Sequence, residues 1–384
     1  MFSDIPGLWV RGDAKDYEDW ATLVGDERWS WDGFLPYFCK TEHYHDPNVD
    51  LKLHGRNGPV HTASISSSGR KYPLKDTVKA AWTSLGMKEI PDVNCGNQIG
   101  IAEEVENRTY GKRTVAAAAY PLDGVTVMSE TLVRRVILSP EKVATGVEIV
   151  DGRTFAAKRE VVVCSGSIRT PQLLMLSGIG SAAELSRHGI KQIIDSPEVG
   201  RNLWDHLAQF QLWKLRHPEI YSATKWKDPS FKNGNPIDWW TNQSVPRDDL
   251  KRALSLDNPG KLIDDSHPLL RSPRSHLGML VYYMGSTDGT LITTVALNHL
   301  PTSRGTITLA STDPAVSPII DHNHLDTEAD RYRHRLLIRT IQKLMDTPSG
   351  KEMVIEEVVP EGLKPVTASS TNEEVDARAR QAAS

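Results

Sequence analysis

A mixed α/β (α+β) fold is the prediction for this 384-residue chain, and three observations carry it. The stretch "REVVVCSGSIRTPQLLMLSGIG", Arg159 to Gly180, reads as an apolar strand, a Gly/Ser turn and a helix. "HLGMLVYYMG", "TLITTVALNHL" and "GTITLAS" are strand-like runs with turns between them, which predicts an antiparallel sheet. "EADRYRHRLLIRTIQKLMD" sets Leu336, Leu337, Ile341 and Leu344 on one face of a helix. At 39% hydrophobic residues the chain suffices for a large core, and its length favours two or three domains.

Taken in order, the first hundred residues are irregular and rich in Trp, Gly, Pro and Asp, with short helices expected at 13–22 and 72–85. From Val125 the texture becomes β-branched. "VTVMSETLVRRVIL" is strand-like, and "ATGVEIVDGRTFAAKREVVVC" predicts a hairpin turning on Asp151-Gly152. Residues 161–164 are apolar on both faces, as in a strand covered on both sides. Thr170 is the expected N-cap and Pro171 the expected first helical residue, with Gly178 ending that helix. Ser181-Ala-Ala-Glu184 is a capping box opening a second helix that stops at Gly189. Long loops and short helices are expected over 213–273. Trp213, Trp226, Trp239 and Trp240 there either line a pocket or serve as structural tryptophans. The final "NEEVDARARQAAS" reads as one more helix.

Lys+Arg 45 against Asp+Glu 49 gives a net charge of -4 and no basic face, so no nucleic-acid partner is expected. No apolar run reaches the roughly 18–20 residues that span a bilayer, and no membrane partner is expected. "MFSDIPG" has neither a charged n-region nor an apolar h-region, so the chain is assigned to the cytoplasm by default. Cys39, Cys95 and Cys164, odd in number and scattered, fit free thiols in a reducing compartment. Gly178-Ile-Gly180-Ser-Ala-Ala183 spells GxGxxA. A helix precedes it instead of a strand, so it is read as a helix-to-helix turn. GxxxxGK[ST] and GxSxG are absent. The pairs His43/His45 and His322/His324 lack the Cys or carboxylate partners of a metal site, and no metal is expected.

Several stretches together resemble the glucose–methanol–choline (GMC) oxidoreductases. Gly166-Ser-Ile-Arg-Thr-Pro171-Gln-Leu-Leu-Met-Leu-Ser177-Gly-Ile-Gly180 is similar to that family's second signature along its whole length. "VGRNLWDH" at 199–206 resembles its "VGxNLxDH". "GLWVRGDAKDYEDWA", "HGRNGPV" and "PTSRGTITLASTDP" resemble further landmarks in family order. The resemblance implies part of a doubly wound FAD-binding domain, plus a substrate domain with a mostly antiparallel sheet and helices. The expected boundaries are 1–110 for a flavin-covering segment, 111–206 for the partial FAD-binding domain and 207–384 for the substrate domain. It implies FAD as cofactor and a small-molecule alcohol as substrate, aromatic or a secondary metabolite, oxidised to aldehyde or ketone. It leaves the oligomeric state unassigned.

The same resemblance supplies the expected cofactor residues. Cys164, Ser165, Gly166 and Ser167 approach FAD, where small side chains let backbone come close. Val133 holds the adenine through its backbone, and Gly7 and Val10 pass the isoalloxazine. The family's glycine-rich GxGxxG strand–turn–helix has no counterpart in this sequence. At Pro6 the family usually has an Asn. The family's active-site histidine, in an "HPxGT"-like segment, has no counterpart either, so no catalytic residue is expected within the chain. A chain truncated at both ends would bind FAD weakly or not at all. Two alternatives stand beside the oxidoreductase reading: a GMC-like lyase or cyclase without redox chemistry, and an inactive remnant.

Overall fold

The structure, a computed structural model, describes residues 7–226, 233–271 and 273–382. Pro6 lies outside them. The chain divides into two compact units, one of Met1–Leu122, His206–Leu300 and Thr327–Ser384, the other of Asp123–Asp205 and Pro301–Asp326.

The first unit is built on a six-stranded sheet in the order Val354–Val358, Ala208–Leu215, Leu291–Asn298, Leu277–Tyr282, Trp239–Gln243, Gly100–Glu103. Every neighbouring pair is antiparallel. Alternation along a strand sends successive side chains to opposite faces. Along Leu291–Asn298, Ile292, Thr294, Ala296 and Asn298 are buried, whereas Leu291, Thr293, Val295 and Leu297 are half-buried. The first face packs against the helices Lys75–Ser84, Arg247–Asp257 and Glu328–Asp346. Trp82, Trp213, Trp239, Leu277, Met279, Ile292, Leu337 and Ile341 fill that core. Each large apolar side chain fully buried there contributes about 1.5–3 kcal/mol.

The long helix is fixed at its start from two sides. Thr327 caps it by accepting from the Asp330 N–H, and the Asp257 carboxylate accepts from the N–H groups of Glu328 and Ala329 at 2.6 and 2.9 Å. A carboxylate at this end also meets the positive pole of the helix dipole. Leu337, Ile341 and Leu344 are buried as the periodicity predicts, with Leu336 partly buried against the same core.

The second unit contains the antiparallel strands Val133–Leu138, Ala144–Ile149 and Thr154–Ala156. The hairpin turns at Asp151-Gly152, where Gly152 takes φ +90°. The helix Gly166–Leu176 packs on the first of these strands: Ser177 Oγ accepts from the Val136 N–H at 2.9 Å and donates to the Leu173 carbonyl at 2.6 Å. Ser181 caps the second helix as expected, its Oγ accepting from the Glu184 N–H. The Glu184 carboxylate accepts from the Leu309 N–H at 2.8 Å.

Several expectations need correction. Residues 161–164 form no strand: no described segment pairs with them, Val162 is 71% exposed and Cys164 is exposed. Apolar composition permits a strand, but only a hydrogen-bonding neighbour makes one. The helix after them begins at Gly166, so Pro171 sits inside it and Thr170 is no cap. The proline lies early in the helix, where its missing N–H costs one backbone bond just beyond the first turn. "VTVMSETLVRRVIL" becomes strand only from Val133. Within 213–273 the structure has the strand Trp239–Gln243 and the eleven-residue helix Arg247–Asp257, beyond loops and short helices. "GTITLAS" gives Thr306–Thr308, which pairs with Ile319–Asp321 in a sheet of its own.

Candidate functional site

The face of the six-stranded sheet that carries none of the three helices named above is the floor of a cavity of about 720 Å³. Four adjacent strands supply the floor: Phe210, then Thr293, Val295 and Leu297, then Leu280 and Tyr282, then Trp240. Leu8 and Ile237 join them on one side, and Met284 to Thr287 lie at the rim. Trp239 and Trp240 are adjacent in sequence and therefore face opposite ways. Trp239 enters the helix-covered core, where its Nε1–H donates to the Lys75 carbonyl, and Trp240 enters the cavity wall. Trp213 also belongs to the core, with Nε1–H donating to Thr294 Oγ1 at 2.9 Å. Trp226 stacks on Tyr72 at 4.9 Å. Of the four candidate tryptophans, Trp240 alone lines this cavity.

The chemistry of the lining is plain. No Asp, Glu, Lys, Arg or His belongs to the described lining, and Tyr282 is its sole titratable group, its phenol pushed up from the ordinary value by burial. Such a surface binds by displacing water from apolar area, about 0.8 kcal/mol per buried methylene. It offers no counter-charge to an ion, whose desolvation would go uncompensated.

Of the cofactor candidates, Gly7 and Val10 lie in the first unit. Gly7 is buried at φ +86°, its carbonyl accepting from the Asn107 N–H at 2.8 Å. Leu8 lines the cavity, the Trp9 N–H donates to the Val105 carbonyl, and Val10 packs partly buried against the cluster holding Val93, Ile237 and Trp240.

The other five lie in the second unit. Val133 and Ser165 line one cleft of about 350 Å³, together with Leu132, Arg169, Leu173 and Leu176. Ser167 faces a second cleft of about 360 Å³ with Thr170, Gly200 and Trp204. Gly166 takes φ +75°, and a Cβ built there meets nothing within 4 Å. Ser165 offers no side-chain cap to the helix that follows, so the first-turn N–H groups keep no side-chain acceptor. Cys164 is an exposed free thiol. What the cleft at Val133 and Ser165 offers a nucleotide is an apolar wall and uncapped amides, since the Arg169 guanidinium already donates to Gln172 and to the Pro314 and Val316 carbonyls.

Sequence reading passed over Phe210, Ile237, Leu280, Tyr282, Val295 and Leu297. The alternation in "TLITTVALNHL" is the signal that separates Val295 and Leu297 from the core-facing Ile292 and Ala296. The histidine pairs are stacks: His43 on His45 at 4.6 Å and His322 on His324 at 5.0 Å. No group of three or more His, Cys, Asp or Glu among the described residues is placed to hold a metal ion. No helix of the described residues is long and apolar enough to cross a membrane.

Comparison with known proteins agrees with this architecture. Residues 6–208 and 301–384 match the two family models described as GMC oxidoreductase. A GMC-type oxidoreductase of Aspergillus aculeatus is 38% identical over 386 residues, covering 97% of this chain and 70% of the relative. An oxygen-dependent choline dehydrogenase of Sinorhizobium fredii is 32% identical, covering 99% of this chain and 68% of the relative. Among solved structures, the formate oxidase of Aspergillus oryzae superposes with a TM-score of 0.82 at 24% identity, over 99% of this chain and 71% of its own. A fungal aryl-alcohol oxidase superposes with a TM-score of 0.78 at 21% identity, over 98% and 72%. At these identities the superpositions speak for the fold. The first family model alone spans more than half of the chain, and with the relatives it settles the assignment: the chain belongs to the GMC oxidoreductases, a family of FAD-dependent enzymes that act on alcohols.

Proposed function

We propose that the chain serves the oxidation of a neutral alcohol with an apolar, aromatic body, of the kind found among secondary metabolites, to its aldehyde or ketone. The observation that carries this reading is the lining of the 720 Å³ cavity, aromatic and aliphatic and without a charged side chain among the described residues. Trp240, Tyr282 and Phe210 offer ring faces and edges to an aryl group, worth about 0.5–1.5 kcal/mol per aromatic pair beyond area burial. The same rings would attract a quaternary ammonium by about 0.5–2 kcal/mol each. Without a carboxylate among the described lining residues, that attraction works against the desolvation of a fixed charge, so a neutral body is favoured.

FAD, when bound, supplies the hydride acceptor for the alcohol carbon. Val133, Ser165, Gly166 and Ser167 are proposed to hold part of it, with Cys164 beside them, and Gly7 and Val10 to run along it. Ser165 and Gly166 contribute by leaving amides and space free at the start of their helix. Leu8, Ile237 and Leu280 exclude water from the cavity. No residue of the lining is assigned the hydroxyl proton. The expected organisation remains a cofactor-binding part around 111–206 flanked by a flavin-covering segment (1–110) and a substrate part (207–384).

The test is turnover of benzyl alcohol by the purified chain with and without added FAD. Benzaldehyde formed only with FAD supports the proposal. Turnover of choline at an equal rate, or benzaldehyde formation indifferent to FAD, contradicts it.

A further inference from the structure

Behind Trp240 lies a polar assembly that nothing above uses. The indole Nε1–H donates to Asn242 Oδ1 at 3.0 Å, and the same oxygen accepts from Ser275 Oγ at 2.9 Å. Ser275 Oγ stands 3.3 Å from His299 Nδ1, and the His299 ring lies nearly parallel to the Trp240 indole, 11° between planes at 6.1 Å. Asn242 and Ser275 are buried, and the Ser275 N–H is anchored on Asp13 Oδ2 at 2.9 Å.

Hydrogen-bond polarity follows from the one fixed donor. An indole N–H can only donate, so Asn242 presents its oxygen. The single hydroxyl proton of Ser275 goes to that oxygen. Ser275 Oγ therefore accepts from His299 Nδ1–H, and His299 carries its lone pair on Nε2. Burial pushes His299 down to about 3, with the charges of His206 and His276 adding to the effect, so the ring is neutral, and the Ser275 contact sets its tautomer. Gly278 completes the arrangement. A Cβ there would stand 2.3 Å from His299 Nε2 and 3.1 Å from the indole Cζ2, so no other residue leaves both rings where they are.

Resting on the reading of the cavity as the alcohol site, we infer that Asn242, Ser275 and His299, with the space left by Gly278, are positioning residues that lock the Trp240 indole as the wall selecting an aryl substrate. Neither ring needs to touch the reacting atoms. The indole and the Ser275 hydroxyl both donate to Asn242 Oδ1 and His299 Nδ1–H donates to Ser275, so the bonds converge on Asn242, and loss of Ser275 loosens both that acceptor and the His299 ring stacked on the indole. Ser275→Ala leaves the buried His299 Nδ1–H without its acceptor, which favours another placement of the ring that stacks on the indole.

The experiment is fluorine NMR of the chain labelled with 5-fluorotryptophan, titrated with benzyl alcohol. The Trp240 line among the ten tryptophans is assigned by its loss in Trp240→Phe. The expected result is one narrow Trp240 line in the unliganded wild type that shifts on titration. In Ser275→Ala and Gly278→Ala the line is displaced or split before ligand is added, and affinity falls about tenfold. A broad or doubled Trp240 line in the unliganded wild type overturns the inference whether or not either variant folds. Shifts with wild-type affinity and line position in both variants overturn the inference and leave the cavity reading standing. Absence of any benzyl alcohol binding to wild type overturns the cavity reading and this inference with it.

Discussion

Gly7 takes φ +86°, in the left-handed region, and a Cβ there would stand 2.7 Å from Asn107 Oδ1. Gly7→Ala therefore combines backbone strain with a clash, and a loss of about 1–3 kcal/mol is expected in urea denaturation. Asp238 has a different constraint. Its carboxyl is fully buried, Oδ2 accepts from the Tyr283 hydroxyl at 2.8 Å, and Oδ1 has no partner. Burial outweighs that hydrogen bond and pushes the group up from 3.8 to about 7. Because the folded value lies above the unfolded one, the stability tied to this group is whole below about pH 4 and is lost as pH rises through about 7. Asp238→Asn keeps an acceptor for Tyr283 and removes the titration. Its stability curve should be flatter than the wild type's across that window, and parallel curves would contradict the assignment.

Among elements, the helix Gly166–Leu176 holds down a loop of its own unit. Arg169 Nη1 donates to Gln172 Oε1 and to the carbonyls of Pro314 and Val316, and Gln172 Nε2 donates to the same Val316 carbonyl at 2.7 Å. Arg169→Ala removes the shared donor, leaving Gln172 as the remaining tie. Faster hydrogen exchange across 313–318 is expected, equivalent to about 1–3 kcal/mol, with the hairpin 144–156 unchanged. The elements also show which features the sequence reveals. The Asp151-Gly152 turn and the Ser181 cap were legible because their chemistry lies within four residues. The helix Glu328–Asp346 was legible from its single apolar stripe. The "VVVC" segment misled because a strand exists by virtue of a partner elsewhere in the chain. Trp239–Gln243 was missed because its residues are buried on both sides, Trp239 in one core and Trp240 in the other wall, which erases the alternation that marks a half-exposed strand. Pro171 drew the helix start five residues late because a first-turn proline and an early interior proline look alike in sequence.

For the whole molecule, the signature identified the family, but the cavity proposed for the substrate was not legible. Its floor is assembled from residues 210, 240, 280, 282, 293, 295 and 297, brought side by side by the strand order and not by sequence proximity. Phe210 is 44% exposed at the edge of the cavity, so a charge placed there should leave the fold intact. Calorimetric titration of wild type and Phe210→Glu with benzyl alcohol and with choline is the most direct check. Benzyl alcohol should bind wild type and choline should not; in the variant the first should weaken about tenfold or more and the second should appear. Choline binding to wild type as tightly as benzyl alcohol, or indifference of both ligands to the new carboxylate, would contradict the apolar cavity as the seat of substrate recognition.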